Sequence, residues 1–222
     1  MNFTIPSVFI GFLMFLVAGV FFKNLVAQSG KKSKKETQQY LNDEHEANFA
    51  RAREIPEELL YRPDISTLPD TNYGETTEFT KLNQAKQKAL LAAQATMLRL
   101  NPPMKNIEIK QKFGTANLEK ITNYEVAYEQ YIRLLTNWAE ELIKLELYED
   151  AKKVLTVCVE MYSLIFLTYS LLCDIYATEN NTAALESLKT KIISTPIIAN
   201  EKILFNKIIN YANEKLDAIE SE

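Results

Sequence analysis

Residues able to do chemistry are few and scattered in this chain of 222 residues. His45 is the only histidine, and its surroundings (HEANF) lack the second histidine of the HExxH helix that binds zinc in metalloproteases. His45 lies in a polar segment, so a serine or cysteine nucleophile is expected to lack a histidine base. The five glycines are isolated, so neither a P-loop nor a GxGxxG loop is present. We therefore expect no enzyme activity, no cofactor, no metal and no small-molecule substrate.

Acidic and thiol side chains offer little more. Glu140 and Glu141 form an adjacent carboxylate pair, but in a chain with 29 acidic residues such pairs usually belong to solvated helix faces. Asp174 is more unusual because it lies in an apolar helix, where we expect it to point to solvent or into a groove. Cys158 and Cys173 lie in apolar surroundings, which favours buried free thiols in a reducing compartment, with a disulfide as the alternative.

The N-terminal segment is strongly apolar. Ile5–Phe22 runs for 18 residues without a charge, close to the about 20 residues of helix that cross the hydrocarbon of a bilayer. We predict a single transmembrane helix within residues 1–30. A cleaved signal peptide is the alternative, but residues 1–4 carry no basic side chain and the apolar run is long for a signal peptide.

Basic residues follow the apolar segment on one side only. They are Lys31, Lys32, Lys34 and Lys35. The positive-inside rule then predicts the N-terminus outside and the C-terminal domain in the cytoplasm of a single-pass cell-membrane protein. The same lysines are expected to lie at the membrane surface. Beyond residue 35 the chain holds 20 bases and 29 acids, which argues against a nucleic-acid partner.

Three segments follow from these patterns: an anchor at 1–30, a basic juxtamembrane segment with a proline-containing strap at 31–77, and a helical domain at 78–222. The strap proper, Ile55–Thr77, is rich in proline yet apolar, so it is expected to pack on the following domain, with a plain spacer as the alternative. Apolar residues at helical spacing predict helices at about 78–100, 118–145, 149–162, 165–178, 181–193 and 199–219. The predicted fold class is all-α.

The apolar run 161–177 is the other candidate for a membrane span. It contains several hydroxyl groups and the charged Asp174, and it is shorter than Ile5–Phe22. This length and polarity favour a helix buried among other helices.

A period of about 34 residues runs through the C-terminal half. Ile132 and Phe166 start equivalent repeats. A deletion of one residue near 180–181 is expected in the second repeat, because it aligns Ala184 with Ala151.

This spacing resembles the tetratricopeptide repeat over residues 132–196, about two repeats. YEDA at Tyr148–Ala151, the small Ala139 and the repeat length match the pattern, whereas Trp138 lies one turn later than the usual tryptophan and Ser163 replaces the usual proline. The resemblance implies an α-solenoid of antiparallel helix pairs, with a right-handed superhelix and a concave face that binds a peptide or partner helix. A plain helical bundle with chance periodicity is the alternative.

The whole chain also resembles uncharacterised, membrane-anchored helical proteins of Gram-positive bacteria. That resemblance rests on the predicted anchor, the strap and the KFGTANLEKI stretch at Lys112–Ile121. It implies no activity.

In a repeat of this type the first helix of each repeat lines the concave face. The partner-binding groove is therefore predicted at Arg133, Thr136, Asn137, Glu140, Leu167, Ser170 and Asp174. The favoured function is a membrane-tethered adaptor or scaffold that binds a protein or peptide at the cytoplasmic face. Two alternatives remain: a structural subunit of a membrane complex recognised through its transmembrane helix, and an enzyme subunit without a visible motif.

Overall fold

A computed structural model describes residues 34–100, 103–194 and 201–221. Among these residues the regular secondary structure is helical apart from one short strand pair, so the all-α prediction is confirmed. The described part of helix α1 covers 34–48, and it is followed by α2 (Thr80–Ala92), α3 (Asn106–Phe113), α4 (Leu118–Lys144), α5 (Tyr148–Glu160), α6 (Phe166–Thr178), α7 (Thr182–Ser194) and α8 (Lys202–Ser221). Strands β1 (Leu60–Tyr61) and β2 (Met97–Leu98) pair in antiparallel fashion.

The predicted membrane anchor cannot be compared with this structure. Ile5–Phe22, together with Lys31 and Lys32, lies outside the described residues. Within the described ranges, none of the helices combines the length and the apolar character that crossing a bilayer requires.

Two compact units make up the described chain. The first consists of residues up to Arg53 together with Lys105–Asn117, and the second of Glu54–Met104 together with the chain from Leu118 onwards. The sequence analysis places one boundary between residues 77 and 78. In the structure the strap belongs to the second unit and α3 belongs to the first.

The first unit pairs α1 with α3. Ala47 of α1 is fully buried, and Ile109 and Phe113 of α3 are buried as well. Lys110 lies 3.3 Å from the carboxylate of Glu44. These contacts fix which side of α1 faces inward.

Gly114 closes this unit. Its φ of 88° is one that residues with a Cβ rarely adopt, and a Cβ built there would lie 2.5 Å from the Cα of Ala52. The close approach lets the backbone N–H of Arg53 donate to the carbonyl of Phe113 at 2.9 Å.

In the second unit the strap is docked onto the helices. Leu68 is buried, and Asp150 of α5 accepts hydrogen bonds from the hydroxyls of Thr71 (2.7 Å) and Tyr73 (2.8 Å). Lys86 of α2 donates to the carbonyl of Thr71 at 2.9 Å. Segment 54–77 is therefore part of the folded second unit.

The prediction of one helix over 78–100 is wrong at its C-terminal end. Helix α2 ends at Ala92, and Met97 and Leu98 form β2, with both side chains fully buried. Strand β1 supplies the backbone partner that the extended segment at Met97 and Leu98 needs.

Helix boundaries in the second unit repeat at a constant interval. Helices α4 and α6 end at Lys144 and Thr178, and α5 and α7 span Tyr148–Glu160 and Thr182–Ser194. The repeat is in register without any insertion or deletion, so the predicted one-residue deletion is wrong. Leu185, not Ala184, is the fully buried residue at the position equivalent to the fully buried Ala151.

The same turn ends α4, α5 and α6. In each, one residue has a positive φ: Glu146 (59°), Tyr162 (55°) and Asn180 (52°). The residue after it donates its N–H back to the third-last helical residue, as in Leu147 N–H to Leu142 O at 3.0 Å. This is the Schellman arrangement, here built without glycine. The turn reverses the chain, with three residues between α4 and α5 and between α6 and α7 and five between α5 and α6, and so stacks the helices as pairs.

A buried set of hydroxyl groups links α4, α6 and the turn before α6. Thr168 lies 2.9 Å from the hydroxyl of Thr136 and 3.0 Å from that of Ser163. The Ser163 hydroxyl also accepts from the N–H of Ile165, and the Ser163 N–H donates to the carbonyl of Cys158. All three hydroxyl groups are therefore satisfied inside the core.

Cys158 and Cys173 are buried free thiols, as predicted. Burial raises the pKa of each to about 12.

Candidate functional site

An open cavity of about 280 Å³ lies in the second unit. It lies between β2, the middle of α4, the turn before α6 and the residue that precedes α8. Its apolar lining is formed by Leu98, Leu100, Pro103, Ile132, Leu164 and Ile165. Sites for drug-sized ligands usually enclose about 300–1,000 Å³, so this cavity suits one or two protein side chains better than a whole metabolite.

Arg99 holds the walls of this cavity together. Its guanidinium donates to the carbonyl of Met161 at 3.0 Å and lies 5.7 Å and 5.5 Å from the ring centroids of Tyr128 and Tyr162. The hydroxyl of Tyr128 donates to the same carbonyl. Because the Arg99 charge is engaged by a carbonyl and two aromatic faces, it acts mainly as a wall of the cavity.

The turn after α5 forms the outer wall of the cavity. Tyr162 occupies the positive-φ position of that turn, and its side chain is 40% exposed at the cavity mouth. Leu164, two residues on, is 43% exposed. Large apolar groups are thus presented to solvent at a concave place, which is typical of an interaction site.

Carboxylates surround the apolar lining. Glu125, Glu129 and Glu201 line the cavity, and Arg133 pairs with Glu129 at 3.9 Å on the exposed surface. Burial raises the pKa of Glu125, the N–H of Leu100 partly offsets this by donating to it, and nearby Glu129 raises it further. A positive charge brought to this rim would favour the ionised form of Glu125.

The seven groove residues predicted from sequence do not come together at one surface. Arg133 lines the cavity just described. Asn137 instead lines a small cleft of about 180 Å³ shared with α2, where it lies beside Glu141 and Lys88. Helix α2 therefore covers the part of α4 that the sequence prediction left open.

Two of the predicted groove residues are buried. Thr136 is 3% exposed and belongs to the buried hydroxyl set, and Ser170 is 7% exposed. Neither side chain can line an open groove in this arrangement. The helical period alone does not distinguish a concave surface from the contact between α4 and α6.

Asp174 lies at the contact between α6 and α8. Its carboxylate accepts from the hydroxyl of Tyr211 at 2.8 Å and pairs with Lys215 at 2.7 Å. Glu140 is half-buried on α4, and Leu167 is 39% exposed at the start of α6. Of the predicted membrane-surface lysines, Lys34 and Lys35 are exposed at the start of the described part of α1.

Sequence reasoning misses the residues that shape the cavity. It places Leu98 and Arg99 at the end of a helix, and it makes Tyr162 the last residue of α5. The prolines at 102 and 103 indicate where a helix has to end, but they do not predict the extended residues Met97 and Leu98, which lie further upstream. No sequence signal identifies the positive φ of Tyr162, because tyrosine is uncommon at such positions.

Metal-binding clusters are absent from the described residues. No group of three or more histidine, cysteine, aspartate or glutamate side chains there is placed to hold a metal ion. His45 is exposed on α1, with its ring 5.0 Å from that of Phe49. Comparisons with models of protein families, with curated proteins and with solved structures found no match to this chain.

Proposed function

We propose that this protein is a membrane-tethered helical scaffold that binds a protein or peptide partner at the cytoplasmic face. The observation that carries the proposal is the cavity beside Arg99 and Tyr162, with its exposed apolar lining and carboxylate rim. The cavity has the size of a site for one or two anchoring side chains, which is how many peptide grooves work.

The tetratricopeptide-like interpretation is part of this proposal. It is supported by helix ends that recur at the same interval in both repeats and by the identical turns that close α4 and α6. Small or apolar residues at equivalent positions, such as Ala139 and Cys173, are fully buried in both repeats. Repeats of this kind usually present a surface for a partner and carry no catalytic centre of their own.

Charge favours a basic partner. The second unit, Glu54–Met104 with Leu118–Glu222, contains 24 acidic and 15 basic residues, a net charge of −9. Glu129 and Arg133 pair with each other at the cavity, and Arg99 is engaged by the carbonyl of Met161, so Glu125 and Glu201 supply the remaining negative charge. The best ligand is therefore a peptide with an apolar anchor beside a lysine or arginine.

Membrane attachment is the other part of the proposal. It is supported by the uncharged run Ile5–Phe22 and by the four lysines that follow it. We infer a single span, with the N-terminus outside and the two described units in the cytoplasm.

A matched pair of leucines tests the binding site. Partners are first recovered with the full-length protein from detergent-solubilised membranes and identified, and their affinity is then measured with Leu164→Asp and Leu167→Asp. The two leucines are similarly exposed, at 43% and 39%, but only Leu164 lines the cavity. We expect Leu164→Asp to weaken binding by about tenfold or more and Leu167→Asp to change it by less than about twofold.

The opposite ranking would contradict the cavity assignment and indicate a binding surface that includes Leu167 instead. A second experiment distinguishes a scaffold that binds through its folded units from a structural subunit that is recognised through its transmembrane segment. Replacing Ile5–Phe22 by an unrelated span should leave partner recovery intact if the described units bind the partner. Loss of the partner would favour recognition through the transmembrane segment.

A further inference from the structure

Helix α1 divides its circumference by charge. At 100° per residue, its four acidic residues fall within an arc of about 160°, together with the buried Ala47. They are Glu36, Asp43, Glu44 and Glu46. The contact of Glu44 with Lys110 shows that this acidic arc includes the side of α1 that packs on α3.

The other side of α1 has no acidic residue and exposes apolar groups. Leu41 is 53% exposed, and Phe49, in the turn directly after the helix, is 78% exposed. His45 lies between them with its ring against Phe49, and Lys34 lies on the same side two turns before Leu41. These four residues, within an arc of about 80°, are called the outer stripe.

The chain that precedes α1 indicates what covers this stripe. Lys31 and Lys32 come directly before the described helix, and the uncharged run Ile5–Phe22 lies upstream of them. Residues 23–33 can span at most about 40 Å, so a membrane that holds the apolar run lies within reach of α1. Basic residues next to exposed leucine and phenylalanine are the composition of helices that lie on anionic bilayers.

We propose that the outer stripe of α1 rests on the anionic surface of the membrane, with Leu41 and Phe49 inserted at the headgroup boundary and Lys34 among the lipid phosphates. This rests on the membrane attachment proposed above. The acidic arc of α1 then faces away from the lipid, where it meets no repulsion from phosphate groups.

Two tryptophan substitutions in the full-length protein test the stripe. Leu41→Trp places an indole on the stripe, and Gln39→Trp places one two residues earlier, on the exposed acidic side of the same helix. Each variant is reconstituted in vesicles of phosphatidylcholine and phosphatidylglycerol with brominated acyl chains, which quench nearby indoles. The native Trp138 is fully buried and supplies the background measured in the parent protein.

We expect the bromine-dependent quenching of Leu41→Trp to exceed that of the parent by at least about twofold, and Gln39→Trp to match the parent. Vesicles without phosphatidylglycerol should quench Leu41→Trp less, and unchanged quenching would overturn the anionic part of the proposal. Equal quenching of both variants, or none at Leu41→Trp, would overturn the stripe.

Extraction of the same vesicles with alkaline carbonate separates the two proposals. Protein that resists extraction without quenching at Leu41→Trp keeps the membrane anchor and overturns the stripe. Protein that is extracted, yet was quenched at Leu41→Trp, keeps the stripe and overturns the anchor. Extraction without quenching overturns both. Circular dichroism confirms that each variant is folded.

Discussion

The side chain of Asp150 makes two of the hydrogen bonds that hold the strap on the helices. It accepts from Thr71 and Tyr73 and pairs with Lys153 at 3.1 Å, while its side chain is only 13% exposed. Burial acts to raise the pKa of Asp150, but the hydrogen bonds and Lys153 outweigh it, and the net pKa is lowered. Hydrogen bonds to an ionised carboxylate are stronger than hydrogen bonds to a neutral acceptor.

Replacement of Asp150 should therefore loosen the strap. We expect Asp150→Ala to lower the free energy of unfolding by about 1.5–3 kcal/mol, because it removes a charged acceptor and leaves the Tyr73 hydroxyl without its partner. The control is Glu149→Ala, which removes a neighbouring acid that is 80% exposed and pairs with Lys152 at the surface. It should cost less than about 1 kcal/mol, measured by urea unfolding.

The Asp150 contribution also depends on pH in a defined direction. Since its pKa in the folded protein lies below the ordinary 3.8, its stabilisation is complete above that value and is lost as the pH falls through the folded pKa. The difference in stability between the parent and Asp150→Ala should shrink below about pH 4. A difference that stays constant down to about pH 2 would show that the carboxylate charge is not what holds the strap.

The two cysteines should be inert in the folded protein. Their pKa values of about 12, raised by burial, leave almost no thiolate near neutral pH. We expect no reaction with an aromatic disulfide reagent under native conditions and two reactive thiols per chain in guanidinium chloride. One thiol that reacts quickly in the native protein would reveal local opening of the helix that carries it.

At the scale of elements, the turns after α4, α5 and α6 share one hydrogen-bond pattern and place Glu146, Tyr162 and Asn180 at positive φ. Asparagine tolerates this conformation, whereas for glutamate and tyrosine it is unfavourable. For Tyr162 the gain is its position at the cavity mouth beside Arg99. For Glu146 no such gain is visible in the structure.

Glycine at position 146 should therefore stabilise the protein. We expect Glu146→Gly to raise the free energy of unfolding by about 0.5–1 kcal/mol and Asn180→Gly to change it by less than about 0.5 kcal/mol. Thermal and urea unfolding measure both. Glu146 also places a negative charge near the C-terminal end of α4, so Glu146→Gln is the control for charge. If glutamine stabilises as much as glycine, backbone strain is not the cause.

The sequence predicts the elements whose signals are local. The predicted ends of helices α4 to α8 lie within three residues of the observed ones, because apolar residues recur there at the helical period, as from Ile121 to Leu142. Strand β2 is missed because its cause is not local: Met97 and Leu98 are extended through pairing with Leu60 and Tyr61, which are distant in the sequence. The cavity is missed for the same reason, since its walls come from four separate segments.

At the scale of the whole molecule, charge is unevenly distributed along the chain. Residues 1–35 hold five basic and no acidic residues, whereas the second unit has a net charge of −9. In the proposed arrangement the basic end is next to the lipid and the acidic unit is available to a basic partner. This distribution also determines the orientation that we propose for the anchor.

Orientation can be tested through the lysines. We expect replacement of Lys31, Lys32, Lys34 and Lys35 by glutamine, combined with Asn2→Lys and Thr4→Lys, to invert a substantial fraction of molecules, since the positive side stays in the cytoplasm. Protease digestion of a C-terminal tag in sealed inverted vesicles measures this. The parent tag should be digested and the variant tag protected. A parent tag that is protected would contradict the proposed orientation.

Ser163 is a position where engineering this protein after the tetratricopeptide consensus is expected to fail. The tetratricopeptide pattern places proline there, and a designer who follows that pattern would make Ser163→Pro. That change would delete the N–H that closes the end of α5 onto Cys158 and the hydroxyl that serves Ile165 and Thr168. A substitution taken from the consensus of many repeats would therefore destabilise this protein. Changes at this turn have to be designed from the hydrogen bonds that Ser163 makes here.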